Sequence, residues 1–136
     1  MKACFADTFY YVALLDRKDE FHGRVAEFTT GFTGFFVTTR WVLAEVGNAL
    51  AGTRHRAGLT NFLRDLETDP SVKIIGESDA LYSRGLAFFG ERLDKEWSLT
   101  DCISFVVMKD EKLIEALTHD RHFTQAGFAP IFADAP

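Results

Sequence analysis

The chain has 136 residues and a net charge of −5, and this acidic balance argues against charge-driven binding to nucleic acid over a broad surface. It is 47% hydrophobic and contains 14 Phe, so residues 1–136 can bury the core of one domain. The sequence shows no signal peptide, no C-x-x-C motif and no apolar run near the roughly 18 residues that a membrane span needs. We therefore expect a cytoplasmic protein with no membrane contact, in which Cys4 and Cys102 are buried thiols.

The pattern of apolar and polar residues predicts strands that alternate with helices. In chain order, we predict a strand at 2–6, helices at 8–15 and 20–30, a strand at 35–38, helices at 39–51 and 57–68, a strand at 72–75, helices at 78–89 and 99–109, a strand at 114–118, a helix at 121–126 and a candidate last strand at 128–132. This alternation predicts an α/β fold with a mainly parallel sheet of four to five strands, covered by helices on both faces. Right-handed crossovers would place every strand-to-helix junction along one edge of that sheet.

Four carboxylates fall on the predicted edge. Asp7 ends the first strand, and Asp120 follows the fourth. Asp101 lies in the first turn of a late helix, and Glu45 lies about a turn and a half into the helix after the second strand. Each has a structural explanation. Asp7 and Asp120 are favoured helix N-caps, Asp101 stands at capping-box spacing from Ser98, and Glu45 at the rim of an apolar stripe can reach solvent.

Taken together, the four acids indicate a cation site. Carboxylates gathered at one edge repel one another, and their pKa values rise unless a cation is bound. Oxygen ligands without thiolates suit Mg²⁺ or Mn²⁺. Such an ion can activate a water molecule and stabilise negative charge on a phosphate. The sequence has no G-x-x-x-x-G-K-[ST] loop, which argues against nucleoside triphosphate chemistry.

The order and spacing of these residues resemble the PIN-domain ribonucleases, and most closely the VapC-type toxins of toxin–antitoxin pairs. The resemblance covers essentially the whole chain, and its most specific part is the stretch L-T-H-D-R-H-F at 117–123, followed by Gly127-Phe128. It implies a three-layer α/β/α sandwich with a parallel sheet and an acidic pocket. It also implies Mg²⁺- or Mn²⁺-dependent endonucleolytic cleavage of RNA, a homodimer, and a small antitoxin that blocks the pocket.

Carried over by position, the resemblance implies Asp7, Glu45 and Asp101 as the core acids, with Asp120 as the fourth. On the mechanism that we expect, Asp7 and Asp101 hold the metal directly. Glu45 and Asp120 then complete its shell through waters or orient the attacking water. The products would carry 5′-phosphate and 3′-hydroxyl ends, as the family implies.

Other residues have expected supporting roles. Thr8 and Thr100 match the hydroxyl residues that flank such a site, whereas His119 stands where a small hydroxyl residue is more usual. The RNA substrate needs positive charge, and the candidate RNA-binding residues are Arg121, His122, Arg54 and Arg56. For each of these four, a solvated surface charge is the alternative interpretation.

Alternatives to the toxin hypothesis stay open. The protein can be a non-catalytic PIN-fold interaction module whose acids are caps or remnants of a site. It can also be a PIN-domain RNA-processing nuclease without an antitoxin. The aromatic content suggests an exposed patch for a dimer or another partner, with an aromatic-rich core as the alternative. The candidate patch residues are Phe9, Tyr10, Tyr11, Phe88 and Phe89.

Overall fold

A wholly parallel five-stranded β-sheet forms the centre of the protein. The structure is a computed structural model that describes residues 2–134. Its strands are β1 (Ala3–Ala6), β2 (Phe35–Thr39), β3 (Val72–Ile75), β4 (Glu115–Leu117) and β5 (Ala129–Pro130). They lie in the order β3-β2-β1-β4-β5, and every pairing is parallel. β1 is therefore the central strand, and its carboxyl end opens onto the middle of the sheet edge.

Seven helices, counted within residues 2–134, connect and cover these strands. They are α1 (Thr8–Leu15), α2 (His22–Gly31), α3 (Arg40–Leu50), α4 (Arg56–Thr68), α5 (Asp79–Glu91), α6 (Leu99–Asp110) and α7 (Arg121–Gln125). Helix α1 packs against α2 and α3, α3 also contacts α4, and α5 packs against α6. Three consecutive residues of β1, Cys4 to Ala6, are fully buried, as expected when helices cover both faces of a sheet. The predicted α/β fold with a parallel sheet is confirmed.

The elements lie within two residues of their predicted bounds. The largest shortening is at β5, which pairs with β4 through only Ala129 and Pro130. Proline has no backbone N–H to donate to a ladder, so it is found at sheet edges and limits the pairing there. Helices α5 and α6 approach closely at Gly85, where an added Cβ would clash with the side chain of Ile103.

Most of the aromatic side chains lie in the core or pack against it. The expectation that Tyr10 and Tyr11 form an exposed patch is wrong, because each is only 2% exposed. Helix α1 is apolar along nearly its whole length, and α2 and α3 pack against it, so these two side chains lie in the core. The Tyr10 hydroxyl is hydrogen-bonded to the Thr29 hydroxyl at 2.7 Å. Phe89, by contrast, is 44% exposed, as predicted.

The structure also bears on the state of the two cysteines and on the length and character of the helices. Cys4 and Cys102 are buried and carry free thiols, as predicted. Their pKa values rise to about 11, mainly because burial disfavours the thiolate. Among the helices of residues 2–134, none combines the length and the apolar character required to cross a membrane.

Candidate functional site

Asp7 occupies the carboxyl end of the central strand. It is the N-cap residue of α1, but its side chain makes no capping hydrogen bond. The residue is 8% exposed, and the Thr118 hydroxyl donates to its Oδ2 atom at 2.9 Å. The carboxylate is therefore turned towards β4 and is not used to cap the helix that it precedes.

The partner of Asp7, Thr118, was not among the predicted site residues. β1 and β4 are neighbours in the sheet, and Ala6 pairs with Leu117, so the next residues along the two strands, Asp7 and Thr118, lie side by side. The Thr118 hydroxyl also accepts a hydrogen bond from the backbone N–H of Asp120 at 3.1 Å. One buried hydroxyl thus links two of the predicted acids. The signal that could have found it is the adjacency of β1 and β4, which the sequence pattern does not encode.

The electrostatic setting of Asp7 is unfavourable to its charge. Burial raises the pKa of Asp7 to about 7, and hydrogen bonding from the Thr8 backbone N–H and the Thr118 hydroxyl only partly opposes that rise. The nearby carboxylates of Asp101 and Glu45 raise the pKa further. Three of the four predicted acids are therefore close enough to interact, at the edge of the sheet where they were expected.

Asp101 combines a structural role with a place in this acidic group. Its backbone N–H donates to the Ser98 hydroxyl at 3.0 Å, and its Oδ2 atom accepts from the Ser98 backbone N–H at 3.1 Å. The capping box that its spacing predicted is therefore present at the start of α6. Burial raises the pKa of Asp101, hydrogen bonds from Ser98 and His122 oppose the rise, and the charge of Asp120 adds to it.

Asp120, like Asp101, combines a structural role with a place in the acidic group. It is the N-cap of α7, and its side chain accepts a hydrogen bond from the His122 backbone N–H at 2.9 Å. The His122 side chain lies between Asp120 and Asp101. Its Nδ1 atom is 3.1 Å from Asp101 Oδ2 and 3.4 Å from Asp120 Oδ1. From the sequence His122 is expected only as an RNA-binding candidate, and its position between two acids is not apparent there.

Glu45 lies half-buried on α3, where the Thr8 hydroxyl donates to its Oε1 atom at 2.6 Å. Its helix buries Val42, Leu43, Val46 and Leu50. Ala49, one turn beyond Glu45 on the same helix, is exposed. Thr100 is half-buried in the first turn of α6, and within residues 2–134 no hydrogen bond joins it to any of the four acids.

The donor atoms present fit a divalent cation. One ligand atom each from Asp101, Asp120 and His122 lies within 4.8 Å of the other two. Among the described residues, this is the one group of three or more His, Cys, Asp or Glu side chains close enough to share a metal ion, and it does not include Asp7 or Glu45. Carboxylate oxygens suit Mg²⁺ and Mn²⁺, and Mn²⁺ belongs to the first-row metals that also bind at sites with nitrogen donors. The buried Asp7 carboxylate beside the group adds a negative charge that a cation would compensate.

The arginines among the basic candidates are not gathered around the acids, whereas His122 lies between two of them. Arg121 is exposed and begins α7, directly after Asp120. Arg54 and Arg56 lie beyond the end of α3, and the residue between them, His55, is 3.5 Å from the Asp16 carboxylate at the end of α1. Asp7 stands at the other end of α1, about 13.5 Å from Asp16 at the helical rise of about 1.5 Å per residue.

A parallel α/β/α fold with acids at the carboxyl ends of β1 and β4 defines a family of proteins. The model of the PIN domain family matches residues 4–129, so this chain belongs to the PIN-domain family. The predicted family is confirmed. Among curated protein sequences, none matches the chain.

Several solved structures share the fold. VapC20 of Mycobacterium tuberculosis, described as a sarcin–ricin-loop-cleaving toxin, superposes with a TM-score of 0.86 at 21% identity, over 96% of this chain and 98% of VapC20. VapBC2 of Rickettsia felis, solved with a DNA fragment from its promoter, gives a TM-score of 0.65 at 12% identity, over 95% and 97%. FitAcB of Neisseria gonorrhoeae gives a TM-score of 0.61 at 17% identity, over 95% of this chain and 96% of the FitAcB chain. At these identities the likeness establishes the fold.

Proposed function

We propose that this PIN-domain protein is a divalent-metal-dependent endoribonuclease. The observation that carries the proposal is the buried carboxylate of Asp7, held at the central sheet edge with Asp101 and Glu45 close enough to raise its pKa. Buried carboxylates that repel one another destabilise a fold unless a cation compensates their charge. Helix capping accounts for Asp101 but not for Asp7, whose side chain makes no capping hydrogen bond. A buried acid of this kind beside two other acids is typical of a metal site.

On this proposal Asp7, Glu45, Asp101 and Asp120 would hold the ion, directly or through waters. A bound Mg²⁺ or Mn²⁺ supplies acidification of a coordinated water and stabilisation of charge on the phosphate. The protein's own residues orient the groups. The Thr118 hydroxyl fixes the Asp7 side chain, and the Thr8 hydroxyl fixes Glu45, so that Glu45 can accept a hydrogen bond from the attacking water. Thr100 stays a candidate supporting hydroxyl, and the products carry 5′-phosphate and 3′-hydroxyl ends.

We propose further that the protein is the toxin of a toxin–antitoxin pair. The support is its fold, which is similar over nearly the full length to VapC20 and to VapBC2. On this proposal it acts on RNA in the cytoplasm, forms a homodimer, and is inhibited by an antitoxin that covers the acidic pocket. Co-expression with the product of a neighbouring small reading frame should abolish RNA cleavage, and light scattering should give twice the chain mass. A monomer that no neighbouring product inhibits would favour an RNA-processing nuclease.

The cleavage reaction can be tested with isosteric acid-to-amide variants. Wild type should cleave RNA with Mg²⁺ or Mn²⁺ and lose this activity in EDTA. Asp7→Asn and Asp101→Asn should each lower the rate on the order of a hundredfold or more, since they remove charge at the site while keeping its shape. Asp110→Asn is the matched control, because Asp110 is an exposed acid that pairs with Arg84 at 2.6 Å. Cleavage that survives chelation, or equal rates in all four proteins, would contradict the proposal.

A further inference from the structure

His122 is a nitrogen donor within a site whose other donors are carboxylates. Its Nδ1 atom is 3.1 Å from Asp101 Oδ2 and 3.4 Å from Asp120 Oδ1. In an octahedral shell with metal–ligand distances of about 2.1 Å, neighbouring ligand atoms lie about 3 Å apart. The shorter contact is a hydrogen bond between His122 Nδ1 and Asp101 Oδ2 in the metal-free protein, and the spacing of the three atoms also matches adjacent positions in one coordination shell. Their side chains are 22%, 14% and 36% exposed for His122, Asp101 and Asp120, so an ion can reach them from solvent.

The fold holds His122 in this position. The backbone N–H of His122 donates to Asp120 Oδ1 at 2.9 Å, which fixes the first turn of α7. The next residue, Phe123, is fully buried and packs edge-on against Phe105 with ring centroids 5.0 Å apart. Because Phe123 anchors α7 in the core, its neighbour His122 is directed towards the acids and not into solvent. The imidazole is thus preorganised in the way that metal sites require of their ligands.

We propose that His122 is a direct ligand of the metal ion, and that this nitrogen makes the site select Mn²⁺ over Mg²⁺. The inference rests on the proposed metal-dependent ribonuclease function and adds a ligand that the four-carboxylate site does not contain. Mg²⁺ prefers an all-oxygen shell and retains its waters, whereas Mn²⁺ belongs to the first-row metals that also bind at mixed nitrogen and oxygen sites. The nitrogen therefore strengthens Mn²⁺ binding while adding little to Mg²⁺ binding.

The selectivity is measured by calorimetric titration of Mn²⁺ and Mg²⁺ into the metal-free full chain. His122→Asn should weaken Mn²⁺ binding about tenfold or more and change Mg²⁺ binding by less than about threefold. His55→Asn is the matched control, because His55 lies beside Asp16 at the far end of α1 and should leave both affinities unchanged. An equal loss for the two metals in His122→Asn would mean that the imidazole only orients the carboxylates, and would overturn the proposal.

Ligation itself is tested on the wild-type protein, so the result does not depend on the folding of a variant. Pulsed electron paramagnetic resonance of the Mn²⁺-loaded chain, labelled with ¹⁵N-histidine, should show coupling of the metal electron spin to a histidine nitrogen. Mn²⁺ binding without this coupling would overturn the role of His122 and leave the metal-dependent nuclease standing. Failure of the wild type to bind either metal would overturn both.

Discussion

Asp7 is a buried acid whose protonation couples stability to pH. In the metal-free protein its pKa lies near 7, mainly because of burial, against an ordinary value of 3.8. The native state therefore holds the Asp7 proton more tightly than the unfolded state does. It follows that the stabilisation is complete below about pH 4 and is lost as the pH rises through about 7.

The direction of this pH dependence predicts how the Asp7→Asn substitution changes the stability of the protein in EDTA. The amide cannot ionise, so the variant should be more stable than wild type at about pH 8, by on the order of a few kcal/mol, and the gain should shrink towards about pH 5. Thermal denaturation at the two pH values measures it. Asp110→Asn, at an exposed ion pair with Arg84, should show no such gain. A gain for Asp7→Asn that is independent of pH would contradict the assignment of Asp7 as a buried, destabilised carboxylate.

At the scale of single residues, the sequence predicts which acids lie at the sheet edge but not how they are held. Asp7, Asp101 and Asp120 each end a strand or begin a helix, and such junctions are visible in the pattern of apolar residues. The hydrogen bond from Thr118 to Asp7 is not visible there, because it depends on β1 and β4 being neighbours. The position of His122 depends likewise on how α7 packs against α6, which no local pattern records.

At the scale of elements, the helices divide the basic residues into two groups at different distances from the acids. Arg121 begins α7, directly after Asp120, whereas Arg54 lies beyond α3 near the far end of α1. Basic residues bind RNA mainly through phosphates, and a phosphate bound near the acids contributes to the productive complex. We therefore expect Arg121 to matter more than Arg54 for binding of the cleaved substrate.

The difference can be measured by charge reversal in an Asp7→Asn background, which prevents cleavage during the measurement. Arg121→Glu should weaken RNA binding several-fold and flatten its dependence on salt, and Arg54→Glu should have the smaller effect. Fluorescence anisotropy at two ionic strengths gives both quantities. A larger loss for Arg54→Glu would place the RNA path along the far end of α1 and would remove Arg121 from the substrate site.

At the scale of the whole molecule, the alternation of elements was sufficient to predict the sheet, its parallel strands and the edge that carries the acids. It was not sufficient to separate core from surface on α1, where Tyr10 and Tyr11 are buried because α2 and α3 pack over the helix. Burial of an apolar helix depends on what covers it, and that is set by the assembled layers.

A metal that binds only the folded chain should stabilise the whole molecule, and this separates a nuclease from a non-catalytic module. At a Mn²⁺ concentration about a hundred times Kd, the free energy of unfolding should rise by about 2.7 kcal/mol, which raises Tm by several degrees. Asp110→Asn should respond as wild type does, and Asp7→Asn should respond far less. In EDTA at about pH 8, Asp7→Asn is expected to be more stable than wild type, so its Tm should be the higher of the two. Because Mn²⁺ raises the Tm of wild type more than that of Asp7→Asn, adding Mn²⁺ should reduce this difference in Tm or reverse its sign. A wild-type Tm that does not respond to Mn²⁺ would favour the interaction module, in which the acids serve only as caps or remnants of a site.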